Sequence, residues 1–534
     1  MYRESFIRVS IYDLVNFELE SADTTVAKGA TSIYFSNIVI LGMNTLYFII
    51  IANLLSTAEI GIYAGMQLII FGFSTISNFS LPQIIPTNIM IPQAVTKLIP
   101  EFLGRKEKGK ATRSFFIILL IAISIVTLLS ILLYILAEPV SQILFRGEAE
   151  VLWVQLLALD TWIFSIGQVF YGGLVGLKRI PKASLFLIIS FAVKFILGAS
   201  LVLAGQGLLG IITAFVIGDI VFLMLTSTSC LKPLWVHHEP VPTKFIMNYS
   251  LPLLVTSSII FGVTQLDKIF AFMQLELSDL GIYNVAVTAA TIGAFAPNAI
   301  TTALVPSLST LEATKKIDKF KKLAKSYTRY VALIATPMSF GVAALASGLV
   351  QLFGQQYLPG AFPATIMSIA IGLTAISAVY NGELLATGRT KSIMLVNLVG
   401  LIILGIGLTI LTPLLDFVGV ALSRSIMIVS IAIFLAYVTH KQGLFVIDSK
   451  AYRDSVFAAS VMGIILFFTL DFISGYRSQL ISLAFLMPAG VIIYLVILRI
   501  LKTLQPDDIE FIRRFLPKRA ERFVQIVSKI VGVS

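Results

Sequence analysis

Seven ionisable side chains sit inside stretches otherwise apolar enough to cross a bilayer: Asp160, Lys194, Asp219, Asp267, Lys268, Glu383 and Arg424. A charge at mid-bilayer costs at least ~2.5–3.5 kcal/mol on insertion scales, so each needs a partner or a purpose. The residue types suggest two kinds of chemistry. Lys194, Lys268 and Arg424 suit an anionic headgroup, because ammonium and guanidinium groups hold phosphate or pyrophosphate oxygens. Asp160, Asp219 and Asp267 suit the exchange of a proton or sodium ion, which would couple movement across the membrane to a gradient. There are competing structural readings. Lys194 and Asp219 lie at similar depth near the midplane and can form a mutual buried ion pair. Asp267 and Lys268 fall near one end of their segment, where a lysine can snorkel, and Arg424 can do the same. Uncharged polar groups (Asn44, Ser74, Asn78, Gln168, Gln265 and Asn298) add a weaker sign of a wet interior. No catalytic or metal site is expected. Cys230 stands alone, His237-His238 reads as part of a solvated loop, and no His/Cys set has zinc-ligand spacing, so no cofactor is expected.

The elements that must position these charges are membrane helices. Of 534 residues, 57% are hydrophobic and 13% charged. A soluble domain carries about 25% charged residues. Spans of about 20 apolar residues are expected near 30–53, 60–83, 114–137, 151–174, 184–204, 206–229, 247–270, 280–303, 330–353, 361–384, 392–412, 417–439, 455–474 and 478–500. Continuation through 84–100 is doubtful because of Pro86, Pro92 and Pro100. With both ends on one side, 34 Lys and Arg fall in loops and tails on that side. Only Arg146 and Arg477 fall on the other, and Lys194, Lys268 and Arg424 lie within spans. This asymmetry makes the first side cytoplasmic and supports the span count. The net charge of +11 is then explained by anionic lipid rather than by nucleic acid. Residues 1–29 carry five acids and lack the basic start and apolar core of a signal peptide. In 501–534, Arg513, Arg514, Lys518, Arg519, Arg522 and Lys529 alternate with apolar residues, as in an amphipathic helix on the membrane surface.

The chain also repeats itself. Glu59-Ile60-Gly61-Ile62-Tyr63 before the second span recurs as Asp279-Leu280-Gly281-Ile282-Tyr283 before the eighth, 220 residues on. Ile85-Pro86-Thr87 matches Val305-Pro306-Ser307 at the same offset, and Leu144-Phe145 matches Leu352-Phe353. Arg179 and Lys182 match Arg389 and Lys391, and Gly207–Ala214 matches Asp416–Ser423. The unit is six spans, an even number, so the copies are parallel. The expected fold is all-α and polytopic, with two six-helix lobes followed by helices 13 and 14. The expected division is a cytoplasmic segment 1–29, lobes 30–230 and 247–440 joined by a linker 231–246, helices 13 and 14 in 441–500, and a tail 501–534. A cleft between two lobes favours alternating access over a channel. The outer loops are too short for a membrane glycosyltransferase or ligase, whose acidic metal site would need one.

Several motifs resemble a family. Asn53-Leu54-Leu55-Ser56-Thr57-Ala58-Glu59-Ile60-Gly61-Ile62-Tyr63 is similar to the first-loop signature of polysaccharide (Wzx-type) flippases. These belong to the multidrug/oligosaccharidyl-lipid/polysaccharide exporter superfamily. Leu98–Arg105 resembles the family's loop after the second span, Tyr249–Leu253 with Gln265-Leu266-Asp267-Lys268 its seventh span, and Leu352–Gly360 its ninth-to-tenth loop. The resemblance covers about residues 25–500. It implies a V-shaped pair of lobes and flipping of a polyprenyl-linked oligosaccharide from the cytoplasmic leaflet by a monomer of the plasma membrane. The partners would be that lipid and the bilayer. The acidic residues 1–26 depart from the pattern. The alternative within the superfamily is a proton- or sodium-coupled multidrug extruder, usually built of twelve spans.

Overall fold

The computed structural model describes residues 24–78, 80–82, 90–234, 239–474, 479–505 and 508. The acidic start, His237-His238, Arg477 and nearly all of the basic amphipathic tail lie outside the described residues.

The first lobe comprises α1 (Thr24–Leu54), α2 (Thr57–Asn78), a short antiparallel pair β1 (Ser80–Pro82) and β2 (Met90–Pro92), and the short α3 (Gln93–Gly104). It continues with α4 (Lys108–Ile135), α5 (Ala137–Ile143), α6 (Val151–Gly176), α7 (Ile180–Leu201) and α8 (Gly207–Leu234). The second span thus ends at Asn78, and Pro92 caps the start of the separate helix α3, which holds Pro100 within it. The second lobe comprises α9 (Thr243–Gln274), α10 (Leu277–Thr291), α11 (Phe295–Ala313), α12 (Ile317–Ala344), α13 (Ala346–Gln351), α14 (Ala361–Thr374), α15 (Ser377–Ala386) and α16 (Thr390–Lys441). Two further helices, α17 (Ser449–Ser474) and α18 (Gln479–Ile500), complete the fold.

Among the described residues, nine helical stretches are long and apolar enough to span a membrane, and two of them, Ile180–Leu234 and Thr390–Lys441, hold two spans each. The other three expected spans escape a purely compositional test for physical reasons. The first has a shorter apolar part, Val39–Leu54. The eighth is interrupted between α10 and α11, and the ninth opens with a basic turn-and-a-half in α12. The chain is an all-α polytopic membrane protein of about fourteen spans.

The repeat is visible in the backbone. Gly207 (φ 51°, ψ −136°) and Asp416 (φ 49°, ψ −134°), equated by sequence, adopt the same non-helical geometry at the turn into the sixth and twelfth spans. Gly61 of α2 and Gly281 of α10 cross back to back. A Cβ at Gly61 would lie 1.8 Å from the Leu277 carbonyl oxygen, and one at Gly281 would lie 2.0 Å from that of Thr57. Thr57 and Leu277 are themselves repeat equivalents, so the contact is its own mirror across the lobes. At this end the lobes share one apolar core, including Phe48, Phe145, Phe272, Tyr283 and Phe353. Asn53 Nδ2 donates to the Leu352 carbonyl (2.7 Å), Gln356 Nε2 to that of Ala52 (3.1 Å) and an Arg146 guanidinium nitrogen to that of Phe272 (3.3 Å). At the opposite end, which carries the basic loops, there are two cores, and the start of α9 (Phe245, Ile246 and Leu253) packs into that of the first lobe. The two lobes are thus joined over a broad shared core at the seal end and by the start of α9 at the basic end.

Helices α17 and α18 dock on α12. Pro337 cannot bond the Leu333 carbonyl one turn back, and the Tyr494 hydroxyl of α18 donates to it instead (3.1 Å). Ser455 Oγ of α17 donates to the neighbouring Ala332 carbonyl at 2.6 Å. At the basic end, Arg329 of α12 bonds Asp508 (2.8 and 2.6 Å) and Asp448 (3.2 Å), tying the chain beyond α18 back to the second lobe.

Candidate functional site: an interlobe cavity

Between the lobes lies a cavity of about 980 Å³. Its first-lobe wall, from α1 and α2, carries four aromatic residues, Tyr47, Phe48, Tyr63 and Phe71, beside Asn44, Thr45, Gln67 and smaller apolar residues. Phe48 and Tyr63 stack at 6.2 Å between ring centres. Its second-lobe wall carries Thr264, Gln265, Lys268, Asn284 and Arg424 among a larger number of apolar residues.

The polar wall rests on broken helices. Pro297 leaves the Gly293 carbonyl without its helical donor, α10 gives way there to a 3-10 turn at Ile292–Ala294, and Ser339 Oγ donates to that carbonyl at 3.3 Å. A second interruption separates α14 from α15. Thr291, Phe295, Thr374 and Ser377 beside these breaks line the cavity. Non-helical backbone at this depth is tolerated where it borders a cavity. Pro252 and Pro337, by contrast, lie within continuous helices.

Arg424 and Lys268 reach the cavity together. Arg424 pairs with Asp267 at 2.5 Å, and Asp267, fully buried, also accepts a hydrogen bond from the Tyr283 hydroxyl. Lys268 Nζ donates to Asn284 Oδ1 at 2.7 Å. Neither side chain snorkels; both are held in place by partners from neighbouring helices.

Lys194 is placed elsewhere. It pairs with Asp219 at 2.6 Å, both nearly buried, as the ion-pair reading of the sequence expected. Its ammonium lies 5.0, 5.5 and 5.6 Å from the ring centres of Phe215, Phe164 and Phe191, a cation–π box. The Asp160 carboxyl faces Asp219 and leaves one oxygen without a hydrogen bond among the described residues. This cluster lies inside the first lobe. A small pocket of about 10 Å³ beside Lys194 is lined by Asn44 and Tyr47, which also line the large cavity. Glu383 is fully buried in the second lobe, away from the cavity lining, with neither carboxylate oxygen bonded among the described residues.

Of the uncharged polar residues marked by sequence, Asn44 and Gln265 line the cavity, whereas Asn78 bonds the Ser165 carbonyl at 2.9 Å inside the first lobe. Sequence reasoning missed Asn284, Asn381, Asn397 and the aromatic wall. Asn284 directly follows the repeated Gly-Ile-Tyr motif, which was the available signal.

The arrangement is a two-lobe membrane fold around a central cavity lined from both lobes. The chain belongs to the polysaccharide biosynthesis protein family, whose pattern matches residues 26–312. No curated protein matches it by sequence. Among solved structures, the lipid II flippase MurJ in an inward closed conformation superimposes with a TM-score of 0.70 at 14% identity, covering 89% of this chain and 98% of MurJ. A multidrug resistance MATE family transporter of the MOP superfamily, inward-facing, gives 0.57 at 15% identity over 76% of this chain and 98% of its own. The Vibrio cholerae MATE transporter VcmN gives 0.55 at 14% identity, over 79% and 99%. The fold is that of MOP superfamily transporters, as the sequence motifs implied.

Proposed function

We propose that the protein is a flippase that carries a polyprenyl-linked oligosaccharide across the plasma membrane by alternating access. The observation that carries this reading is the cavity itself, with Lys268 and Arg424 on one lobe and a cluster of aromatic side chains on the other. The end with the basic loops is assigned to the cytoplasm, with both termini there, by the distribution of Lys and Arg. The lobes are taken as residues 30–230 and 247–440, rocking about the seal.

In this mechanism Lys268 and Arg424 receive the anionic headgroup. The aromatic wall offers flat apolar surfaces to the saccharide rings and the first prenyl units, while the rest of the tail stays in lipid. Lys194 lies behind Asn44 and Tyr47, so its part is assigned to coupling rather than to first contact. Protonation of Asp160 or Asp219 would change the charge of a buried cluster that starts with one cation and two carboxyls. Such a change can bias one lobe arrangement over another. Asp267, committed to Arg424 and Tyr283, positions the headgroup site. A multidrug extruder has less support, because among the described residues no carboxylate lines the cavity to attract a cationic drug.

The test is deletion in the native host followed by leaflet-resolved analysis of lipid-linked oligosaccharide. Build-up on the cytoplasmic leaflet with loss of surface glycan is expected. Intact surface glycan with new sensitivity to cationic drugs would replace this reading with the extruder.

A further inference from the structure

We infer that the small pocket beside Lys194 binds one water molecule and is the port through which the Lys194–Asp219–Asp160 cluster exchanges protons with the interlobe cavity. This deepens the coupling role given to that cluster and rests on that reading for its purpose, not for its geometry.

The cluster is enclosed on its other sides. Lys194 of α7 lies over Gly218 of α8, where a Cβ would collide with Lys194 Cγ, so only glycine lets the chain reach Asp219. Phe164, Phe191 and Phe215 surround the ammonium. Among the described residues, the ionisable groups facing Lys194 are Asp160 of α6, Asp219 of α8, Tyr47 of α1 and, beyond Phe215, Tyr63 of α2.

The pocket has room of about 10 Å³, enough for a single water. Its apolar sides include Phe191, Phe195 and Phe215, and its polar lining is Asn44, Tyr47 and Lys194. Asn44 Nδ2 and the Tyr47 hydroxyl are buried and bond nothing among the described residues. Tyr47 is only 5% exposed. Its hydroxyl is set against Gly198, one turn from Lys194, where a Cβ would stand 2.5 Å from it. Buried polar groups without partners are costly, and a bound water needs about two to four polar contacts. An ammonium has three N–H donors, and Lys194 gives one to Asp219 at 2.6 Å. A water here accepts from the Lys194 ammonium and from Asn44 Nδ2, and donates to the Tyr47 oxygen. Asn44 and Tyr47 line the large cavity as well, so only their side chains separate this water from it.

The proton transfer balances without a further reactant. Lys194 Nζ gives one hydrogen to the Asp219 carboxylate and takes one from the water, which is replenished from water in the cavity. The ammonium is regenerated, the cavity loses one proton and the cluster gains one. A substrate lying against Tyr47 covers the port, so occupancy and proton exchange exclude each other, as an exchanger requires.

The test uses the full chain in liposomes and infrared spectroscopy of its protonated carboxyls, a readout that needs no transport. Changing the buffer from light to heavy water shifts a carboxyl band as its hydrogen exchanges. Loss of the band in Asp160→Asn or Asp219→Asn assigns it to the cluster. Asn44→Leu removes one partner of the water and fills the pocket. It should slow exchange of that band by roughly tenfold or more, the scale of one lost hydrogen bond. Asn44→Ser, which keeps room and a polar group, should stay near the parent rate. A short-chain prenyl diphosphoryl-glucose should slow exchange in the parent protein. Exchange at the parent rate in folded Asn44→Leu protein overturns the port. So does equal slowing by Asn44→Ser, which would make Asn44 a packing residue only. A cluster band absent at every pH where the protein is folded also overturns it, because the cluster then takes up no proton. Exchange unaffected by the glycolipid, in liposomes that flip it, overturns the exclusion between substrate and proton. Exchange that responds to Asn44 in protein that moves no glycolipid upholds the port and sinks the flippase reading alone.

Discussion

The seal between the lobes should open when its central glycines gain a single methyl group. A Cβ at Gly61 would stand 1.8 Å from the Leu277 carbonyl oxygen and 2.7 Å from its carbon. Ordinary contact begins near 3.4 Å, so α2 and α10 must part by about 1.6 Å, the difference between the two distances. The obstacle is backbone and cannot rotate away. Overpacking of this kind costs about 1–3 kcal/mol. Since the clash exists only while the seal is closed, that energy shifts the closed-to-open equilibrium by a factor of roughly 5–150. Gly281→Ala should act alike from the other lobe, and the double variant should exceed either without being the sum, because the two sites touch. The assay is pulsed electron resonance between spin labels at Glu148 and Leu358, both exposed at the seal end, in protein carrying Cys230→Ser. Gly61→Ala should add a longer distance population. A distribution identical to that of the parent, in protein that stays folded, would refute the crossing as the seal.

Three further outcomes follow from the charged groups. Asp267→Ala should lower stability by about 3–5 kcal/mol by stranding Arg424, and adding Arg424→Leu should recover most of it. Thermal unfolding in detergent measures both, and a double variant no better than the single would remove the pair from the account. Asp219→Asn should change the pH dependence of flipping, since it removes one of the two carboxyls that can titrate beside Lys194. An unaltered pH profile would sink that assignment. At the basic end, burial works to raise Asp448, but the Ala451 N–H and the Arg329 guanidinium outweigh it and hold the carboxyl below the usual range. Its stabilising effect is therefore complete above the ordinary value of about 3.9 and is lost as pH falls through the lower folded value. Asp448→Asn should flatten the acid side of the stability profile, and a profile unchanged below pH ~4 would contradict this.

The duplication was legible because it is written in short motifs at fixed offsets, and the same offsets show why the two walls of the cavity differ. An offset of 220 equates Tyr283 with Tyr63, Asp267 with Tyr47 and Lys268 with Phe48. An offset of 209, set by Gly207 and Asp416, equates Arg424 with Phe215. In the second lobe the set is an ionic triad, with Arg424 and Tyr283 both on Asp267. In the first lobe its counterparts are an aromatic triad, with Phe215 packed 6.2 Å from Tyr47 and 6.1 Å from Tyr63. Asp219 of the first lobe is likewise matched by Ile428 in the second. Each lobe thus spends its buried charge where the other is apolar. Reading each charge by its depth located the candidates, but depth along one helix does not say which neighbour faces it. That is why Lys194 was grouped with Arg424, although one lies inside a lobe and the other on the cavity. Aligning the copies separates them, since Arg424 and Lys268 stand where the first lobe has Phe215 and Phe48, whereas Lys194 and Asp219 belong to the first lobe alone. The pseudo-symmetric backbone supplies two lobes that meet at Gly61 and Gly281, and the asymmetric substitutions put Lys268 and Arg424 on one side of the cavity and Tyr47, Phe48 and Tyr63 on the other.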